Sequence, residues 1–447
     1  MPLISKNKFF SNSLSGAFGQ LVTLVTQILS VPFFMHYWGQ EVYGKWIFLM
    51  TIPPYFSLLD LGMGTVISNA LTQAAASRTF DGYRSILKKF VLWQLKIVFG
   101  VFSIYIAIIL LCTHSETFQY AITASSGFWM LLGVYGLCTL GETLAFYFFR
   151  SLNQSDVIQF IWNVLRLLEL ILIIFVLKNS GNEKLLLSVM VALKFSGLII
   201  IYLIFFVKNP EAIFGPRGKN EFTIHTNLNK GIKYSSFSAS NLLLNGGTIW
   251  IINFLLGPGS TVMYSTLRTL VNTLRQIGEI IKQSLWPKIS SSYYQNNITK
   301  MHQTFVTGYW LTIGVTAIFS ALLWFGESSI FKWWLGSEWQ TDTRLYLYLM
   351  ISMLFLVQWQ IGSVVMESTN LFDDFASAQF LGHLIFLLLT FITIPFWGLH
   401  GTAILLILLN LFLCMYAVME LKKVFSISST GKLLSLNNYS WKVLFNE

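Results

Sequence analysis

Charge is scarce in this chain. Asp, Glu, Lys and Arg make up 11% of its 447 residues, where a soluble domain carries about 25%. A soluble fold of this size has no core large enough to hide a 55% hydrophobic composition. Cysteine is also sparse. Cys112, Cys138 and Cys414 lie in apolar runs without metal-ligand spacing and read as packing residues. The six histidines (His36, His114, His225, His302, His383 and His400) are scattered, again without ligand spacing. A nucleotide-binding domain is missing. The run from Gly39 to Lys45 opens like a phosphate-binding loop, but Trp46 stands where Ser or Thr would ligate Mg²⁺. Extended polar loops are missing too. The stretch 327–342 is the longest on its side, which argues against a membrane polymerase or glycosyltransferase. In that reading only Asp342 and Arg344 are tolerable catalytic candidates. The chain therefore reads as a non-enzyme. The N-terminal segment, with Gln20, Thr23, Gln27 and Pro32, lacks a signal peptide's short apolar core and cleavage site, so the first helix is expected to stay.

What the sequence has instead is long, continuous apolar runs and a mean hydropathy of +0.64. In lipid the backbone must satisfy its own hydrogen bonds, which leaves helices or closed barrels. Runs of about 20 residues favour helices over barrel strands of about 10. We place helices at 14–36, 43–68, 88–112, 121–149, 156–178, 184–207, 232–256, 260–286, 304–326, 343–368, 374–397 and 400–423. The fold class is all-α membrane protein, with about twelve transmembrane helices in two six-helix bundles. The expected organisation is an N-terminal bundle over 1–207, a cytoplasmic linker over 208–231 with Pro210, Gly215, Pro216 and Gly218, a C-terminal bundle over 232–423, and a cytoplasmic tail over 424–447.

The net charge is +10. Its basic residues collect in short loops, which fits an anionic inner leaflet and no nucleic acid. With both termini cytoplasmic, only Lys45, Lys178, Lys184, Lys332 and Arg344 fall on the outer side. One inner turn runs against this bias: Glu367, Asp373 and Asp374 have no basic neighbour in sequence, and either aspartate can cap the eleventh helix. The halves echo each other at an offset of 218. Gln20, Thr23, Gln27 and Ser30 map onto Ser238, Asn241, Asn245 and Thr248, and Gly39 maps onto Gly257. Internal repeats of this kind mark transporters.

Charges within lipid cost about 2.5–3.5 kcal/mol each and so face a cavity or a partner. Helix eight carries Ser265, Arg268, Asn272, Arg275, Glu279 and Lys282 on one face. From Arg268 to Lys282 the stripe rises about 21 Å. Arginine grips phosphate oxygens bidentately and lysine acts as a point charge, so the stripe suits an anionic substrate. The opposing reading is local: Glu279 pairs with Arg275, while Lys282 snorkels. Elsewhere, Arg166 has Glu169 one turn on and Asn163 one turn back, and Lys194 lies near mid-depth without an obvious partner. Asp60 and Glu142, with Glu279, are candidates for Na⁺ or H⁺ coupling, or for pairing with a buried base. Gln27 and Asn245 can meet sugar hydroxyls or bond between helices. Pro32, Pro53, Pro54 and the Gly246-Gly247 pair allow helix bending.

From Pro32 to Asn69 the sequence includes Y-W-G-Q-E-V-Y-G-K-W and then L-L-D-L-G-M-G-T-V-I-S-N. This resembles the opening of the polysaccharide flippase family, through Gly39, Tyr43, Gly44, Asp60, Gly62 and Gly64. The second half partly echoes it with L-G-P-G-S-T-V-M-Y and Pro287. The resemblance implies a MATE-like fold of the multidrug/oligosaccharidyl-lipid/polysaccharide exporter superfamily, with two bundles around a central cavity. It further implies flipping of an undecaprenyl-pyrophosphate-linked oligosaccharide, such as an O-antigen unit, across the bacterial cytoplasmic membrane. No cofactor is expected beyond possible ion coupling. The implied partners are the lipid-linked oligosaccharide, membrane lipids, a polysaccharide polymerase and glycosyltransferases. A drug or small-molecule exporter of the same fold is the alternative.

Overall fold

The computed structural model describes residues 6–76, 82–114, 126–214, 224–369, 371–427 and 429–435. The expected start of the fourth helix at 121, the linker's Gly215, Pro216 and Gly218, and the tail beyond 435 lie outside these residues. The described residues form α1 (Lys6–Leu49), a 3-10 segment (Pro53–Asp60), α2 (Met63–Ala76), α3 (Tyr83–His114), α4 (Ser126–Ser151), α5 (Ser155–Asn179), α6 (Glu183–Lys208) and α7 (Pro210–Phe214). There follow α8 (Ile224–Leu242), a π-helical turn (Leu243–Gly247), α9 (Thr248–Tyr294), α10 (Ile298–Phe325), α11 (Glu327–Leu335), α12 (Thr343–Ser368), α13 (Asp373–Phe425) and α14 (Thr430–Leu433).

Among the described residues, nine helical stretches are long and apolar enough to cross a membrane. Three of them are broken by a glycine at positive φ: Gly39 at 65°, Gly257 at 81° and Gly398 at 54°. Dividing at these glycines yields the expected twelve. Gly39 and Gly257 share nearly one backbone conformation, with ψ of −175° and −179°. The offset of 218 is thus visible in the hairpins themselves. A left-handed φ with extended ψ is open to glycine and strained for any side chain.

Several expected boundaries move. The second helix, expected as one piece over 43–68, is instead the end of α1, the 3-10 segment and α2. Pro53 starts the 3-10 segment, since proline at an interior helical position removes a hydrogen bond. The helices expected at 14–36, 260–286 and 304–326 begin or end a turn or more further out, because their polar ends carry no hydropathy signal. The stretch 327–342 is not all loop. It holds α11, with Trp333 84% exposed beside Lys332, the pairing expected of a membrane-interface helix. Neither Asp373 nor Asp374 caps α13; both lie in its first turn.

Contacts divide the chain into two compact units. One is residues 49–242; the other joins 1–48 to 243–447. In the 49–242 unit, Met63, Ile67, Tyr83, Phe90, Phe149 and Phe205 are among the buried core. Lipid offers no hydrophobic drive between helices, so close packing and hydrogen bonds must hold them. Gly62 shows the degree of closeness: a Cβ there would lie 2.0 Å from the Gly231 carbonyl oxygen, so α8 rests on bare backbone. In the discontinuous unit, α10, α12 and the ends of α9 and α13 close around Ile289, Phe305, Val364 and Leu421. A buried chain of hydrogen bonds runs from Trp359 Nε1 to Asn410 (2.9 Å) and from Asn410 Nδ2 to Ser352 (2.9 Å). Gly44 packs on the second hairpin, where a Cβ would lie 2.3 Å from the Pro258 carbonyl oxygen. Lys45 pairs with Glu41 at 3.0 Å. The residues that looked like a phosphate loop therefore make a tight hairpin.

Candidate functional site

The polar face of α9 lies wholly within the discontinuous unit. Just before it, the Gly246-Gly247 pair ends a π-helical turn rather than a simple bend. Such one-turn widenings interrupt the α-helical ladder and frequently sit at functional sites. Here the turn contains Asn245, whose Oδ1 accepts a hydrogen bond from Arg268 Nη2. The Arg268 guanidinium also lies over the Tyr264 ring, 5.7 Å from its centre, within cation–π range. Two helical turns along, Arg275 Nε donates to Asn272 Oδ1 at 2.7 Å, which leaves its terminal nitrogens to other acceptors. The neighbouring Gln276 is buried and donates to Gln27 Oε1 at 3.0 Å, tying α9 to α1.

Neither guanidinium forms an ion pair among the described residues. Glu279, the expected partner of Arg275, instead accepts from Gln360 Nε2 and, at 3.4 Å, from Gln283 Nε2. Lys282 does not snorkel. It is buried and pairs with Glu367 at 2.7 Å, with Ser363 bonded to both. Glu367 therefore has its basic partner on another helix, and part of the acidic turn is accounted for. The six-residue stripe divides in two. Its Arg268–Arg275 part is oriented by amide oxygens, with Glu279 within electrostatic reach of Arg275, and Lys282 is paired against α12.

The 49–242 unit handles its charges differently. Lys194 pairs with Glu142 at 2.6 Å and lies 4.9 Å from the centre of the Tyr135 ring. The Tyr135 hydroxyl donates to Glu169 at 3.0 Å. Arg166, on the same helix as Glu169, is exposed. Asp60 is buried where the 3-10 segment ends. Its Oδ1 accepts from the Gly62 amide at 2.8 Å, and Tyr147 packs beside it against Gly64. The Lys194–Glu142 and Lys282–Glu367 pairs were invisible in sequence because their members stand 52 and 85 positions apart. The available signal was an excess: a lysine at mid-depth, and a glutamate in a turn on the basic side. Among the described residues, no three His, Cys, Asp or Glu side chains gather as a metal site.

No protein-family model matches the chain, and no curated protein matches it in sequence. Solved structures do match its fold. A multidrug resistance MATE family transporter of the MOP superfamily, in an inward-facing conformation, superposes with a TM-score of 0.65 at 11% identity, over 94% of this chain and 96% of its own. The Vibrio cholerae MATE transporter VcmN, as a point mutant, gives 0.65 at 14% identity, over 95% and 97%. A MOP superfamily transporter from Pyrococcus furiosus gives 0.63 at 12% identity, over 95% and 96%; its binding pocket is described as of reverse polarity, suggesting a different function. The chain has the MATE transporter fold.

Proposed function

We propose that this chain is an alternating-access membrane transporter for a cargo bearing a phosphate-type anion. The finer reading is a lipid-linked oligosaccharide with a pyrophosphate, moved from the inner to the outer leaflet of a bacterial cytoplasmic membrane, with both termini cytoplasmic. The observation that carries it is the pair Arg268 and Arg275, each held by a neutral amide oxygen and neither in an ion pair among the described residues, with Glu279 only within electrostatic reach of Arg275. A guanidinium so oriented is preorganised for bidentate contact with phosphate oxygens. Asn245 and Asn272 set the arginines, and Gln27 holds the face of α9 through Gln276. Lys282 braces α9 against α12, while Lys194 and Arg166 belong to the other unit and act there. Glu279 is the carboxylate best placed to couple Na⁺ or H⁺ to the stripe, being one turn from Arg275; Asp60 and Glu142 serve their own unit.

The chain passes between its two units after Phe48 and after Leu242. The first crossing precedes the 3-10 segment and the second precedes the π-helical turn. These interruptions of the α-helical ladder are where a transport cycle would bend the helices. Tyr55 Oη donates to the Leu242 carbonyl at 3.1 Å, just ahead of the second crossing. In this reading, glycosyltransferases build the cargo and a polymerase receives it.

The fold neighbours favour a second reading, export of small molecules. For a cationic drug it requires a free carboxylate, and Glu279 is engaged by two glutamine amides. Translocation of a labelled undecaprenyl-pyrophosphate oligosaccharide in reconstituted vesicles separates the two. The first reading expects wild type to move the lipid, Arg275→Ala to fail while folded, and Arg275→Lys to recover part of the rate. Extrusion of small cations without lipid movement overturns it and leaves the exporter.

A further inference from the structure

The two legs of α13, on either side of Gly398, leave a groove between them of about 630 Å³. Leu381, Ile385, Leu389, Leu408 and Phe412 line it and are exposed. In a membrane-spanning helix pair such a face meets lipid. One end is different. Asp374 and Ser377 form the mouth, and Asp374 is the only carboxylate among the described residues that line the groove. Lys423 stands within electrostatic reach of Asp374 and of the Tyr416 hydroxyl, and is itself bonded to Glu420 at 2.6 Å. Asp373 adjoins Asp374 in the first turn of α13, and Lys422 adjoins Lys423 in its last.

We propose that this groove binds one phospholipid with an aminoethyl phosphate headgroup, that is, phosphatidylethanolamine. The headgroup ammonium pairs with Asp374, its phosphate faces Lys423, and an acyl chain lies along Leu381, Ile385 and Leu408. Length supports a membrane lipid. From Asp374 to Leu389 α13 rises about 22 Å, enough for a headgroup and one leaflet of a hydrocarbon core about 30 Å thick. Charge selects among lipids. An anionic phosphatidylglycerol, or a polyprenyl diphosphate, would bring negative charge to a mouth whose lining carboxylate makes no ion pair among the described residues and whose Lys423 is already bonded to Glu420. The acidic turn that runs against the positive side of the molecule thus has two uses: Glu367 pairs with Lys282, and Asp374 receives the headgroup. A second groove, in the 49–242 unit among Leu87, Phe90, Gln94, Leu140 and Phe206, encloses about 370 Å³ and has no carboxylate or basic side chain among the described residues that line it. It offers no such selection and serves as an internal control.

The experiment is photo-crosslinking in nanodiscs of equal phosphatidylethanolamine and phosphatidylglycerol, with a diazirine on the acyl chain of one or the other, followed by peptide sequencing. The ethanolamine probe should label α13 about fivefold more than the glycerol probe, the scale of one exposed ion pair. Asp374→Asn should remove the preference and Asp374→Lys should reverse it. The 87–98 segment should label equally with both probes. Leu381→Trp, which fills an exposed wall, should reduce labelling by either probe on α13. Equal labelling of α13 in wild type, an unchanged ratio in Asp374→Lys, or displacement of the ethanolamine probe by a polyprenyl diphosphate would each overturn the proposal. None of these readouts depends on transport.

Discussion

The two units treat half-buried positive charge in opposite ways. In the 49–242 unit Lys194 has a carboxylate at 2.6 Å and an aromatic face at 4.9 Å, so its charge is matched where it stands. On α9, Arg268 and Arg275 are held by asparagine oxygens. An amide orients a guanidinium through the same kind of hydrogen bond but leaves the charge intact. The first arrangement stabilises a helix bundle, and in the proposed function the second keeps a cation ready for an anion from outside. Lys282, seven residues beyond Arg275, follows the first pattern through Glu367, so the change of pattern occurs within a single helix.

This comparison can be broken most readily by stability measurements. Glu142→Ala should destabilise the folded protein by about 3–5 kcal/mol, because it strands a half-buried ammonium in an apolar span. Thermal unfolding in detergent checks this, and a loss no larger than that of Arg275→Ala would erase the distinction between the units. Lys282→Ala should fall in the lower part of the same range, since Ser363 remains to donate to the stranded Glu367. Tyr135→Phe, which removes a hydroxyl donating to a carboxylate, should cost about 1.5–3 kcal/mol. Arg275→Ala should cost least, about 1 kcal/mol, since it loses one bond to Asn272 and an unpaired attraction to Glu279; its effect should appear in transport.

The sequence made the helices legible because hydropathy reports on lipid contact over whole turns. The glycine hairpins were legible for a different reason: Gly39 and Gly257 stand at a fixed offset, and both take a backbone open to glycine. The motifs behind the family resemblance prove to be architectural. Tyr43 stacks on Phe34 with ring centres 5.0 Å apart, Gly44 admits Pro258, Asp60 holds the Gly62 amide, and Gly62 admits α8. They specify how helices meet and say little about what is carried. The arginine stripe was legible as a 3-4 spacing, yet its division was not, because the partners of Glu279 and Lys282 come from α12. The π-helical turn was also hidden. A glycine pair signals bending, and only the fold shows that the bend presents Asn245 to Arg268.

The central claim is that neutral partners leave the charge of the α9 arginines available for cargo. Asn245→Asp combined with Asn272→Asp tests it most directly, because the aspartates match the asparagines in shape and keep both hydrogen bonds while adding the missing negative charge. Transport of the pyrophosphate-linked oligosaccharide in vesicles, measured beside thermal stability, is the readout. The account predicts a protein at least as stable as wild type with its transport rate reduced about tenfold or more, the equivalent of 1.4 kcal/mol or more of lost anion affinity. An unchanged rate in a folded double variant would contradict it and make the stripe structural.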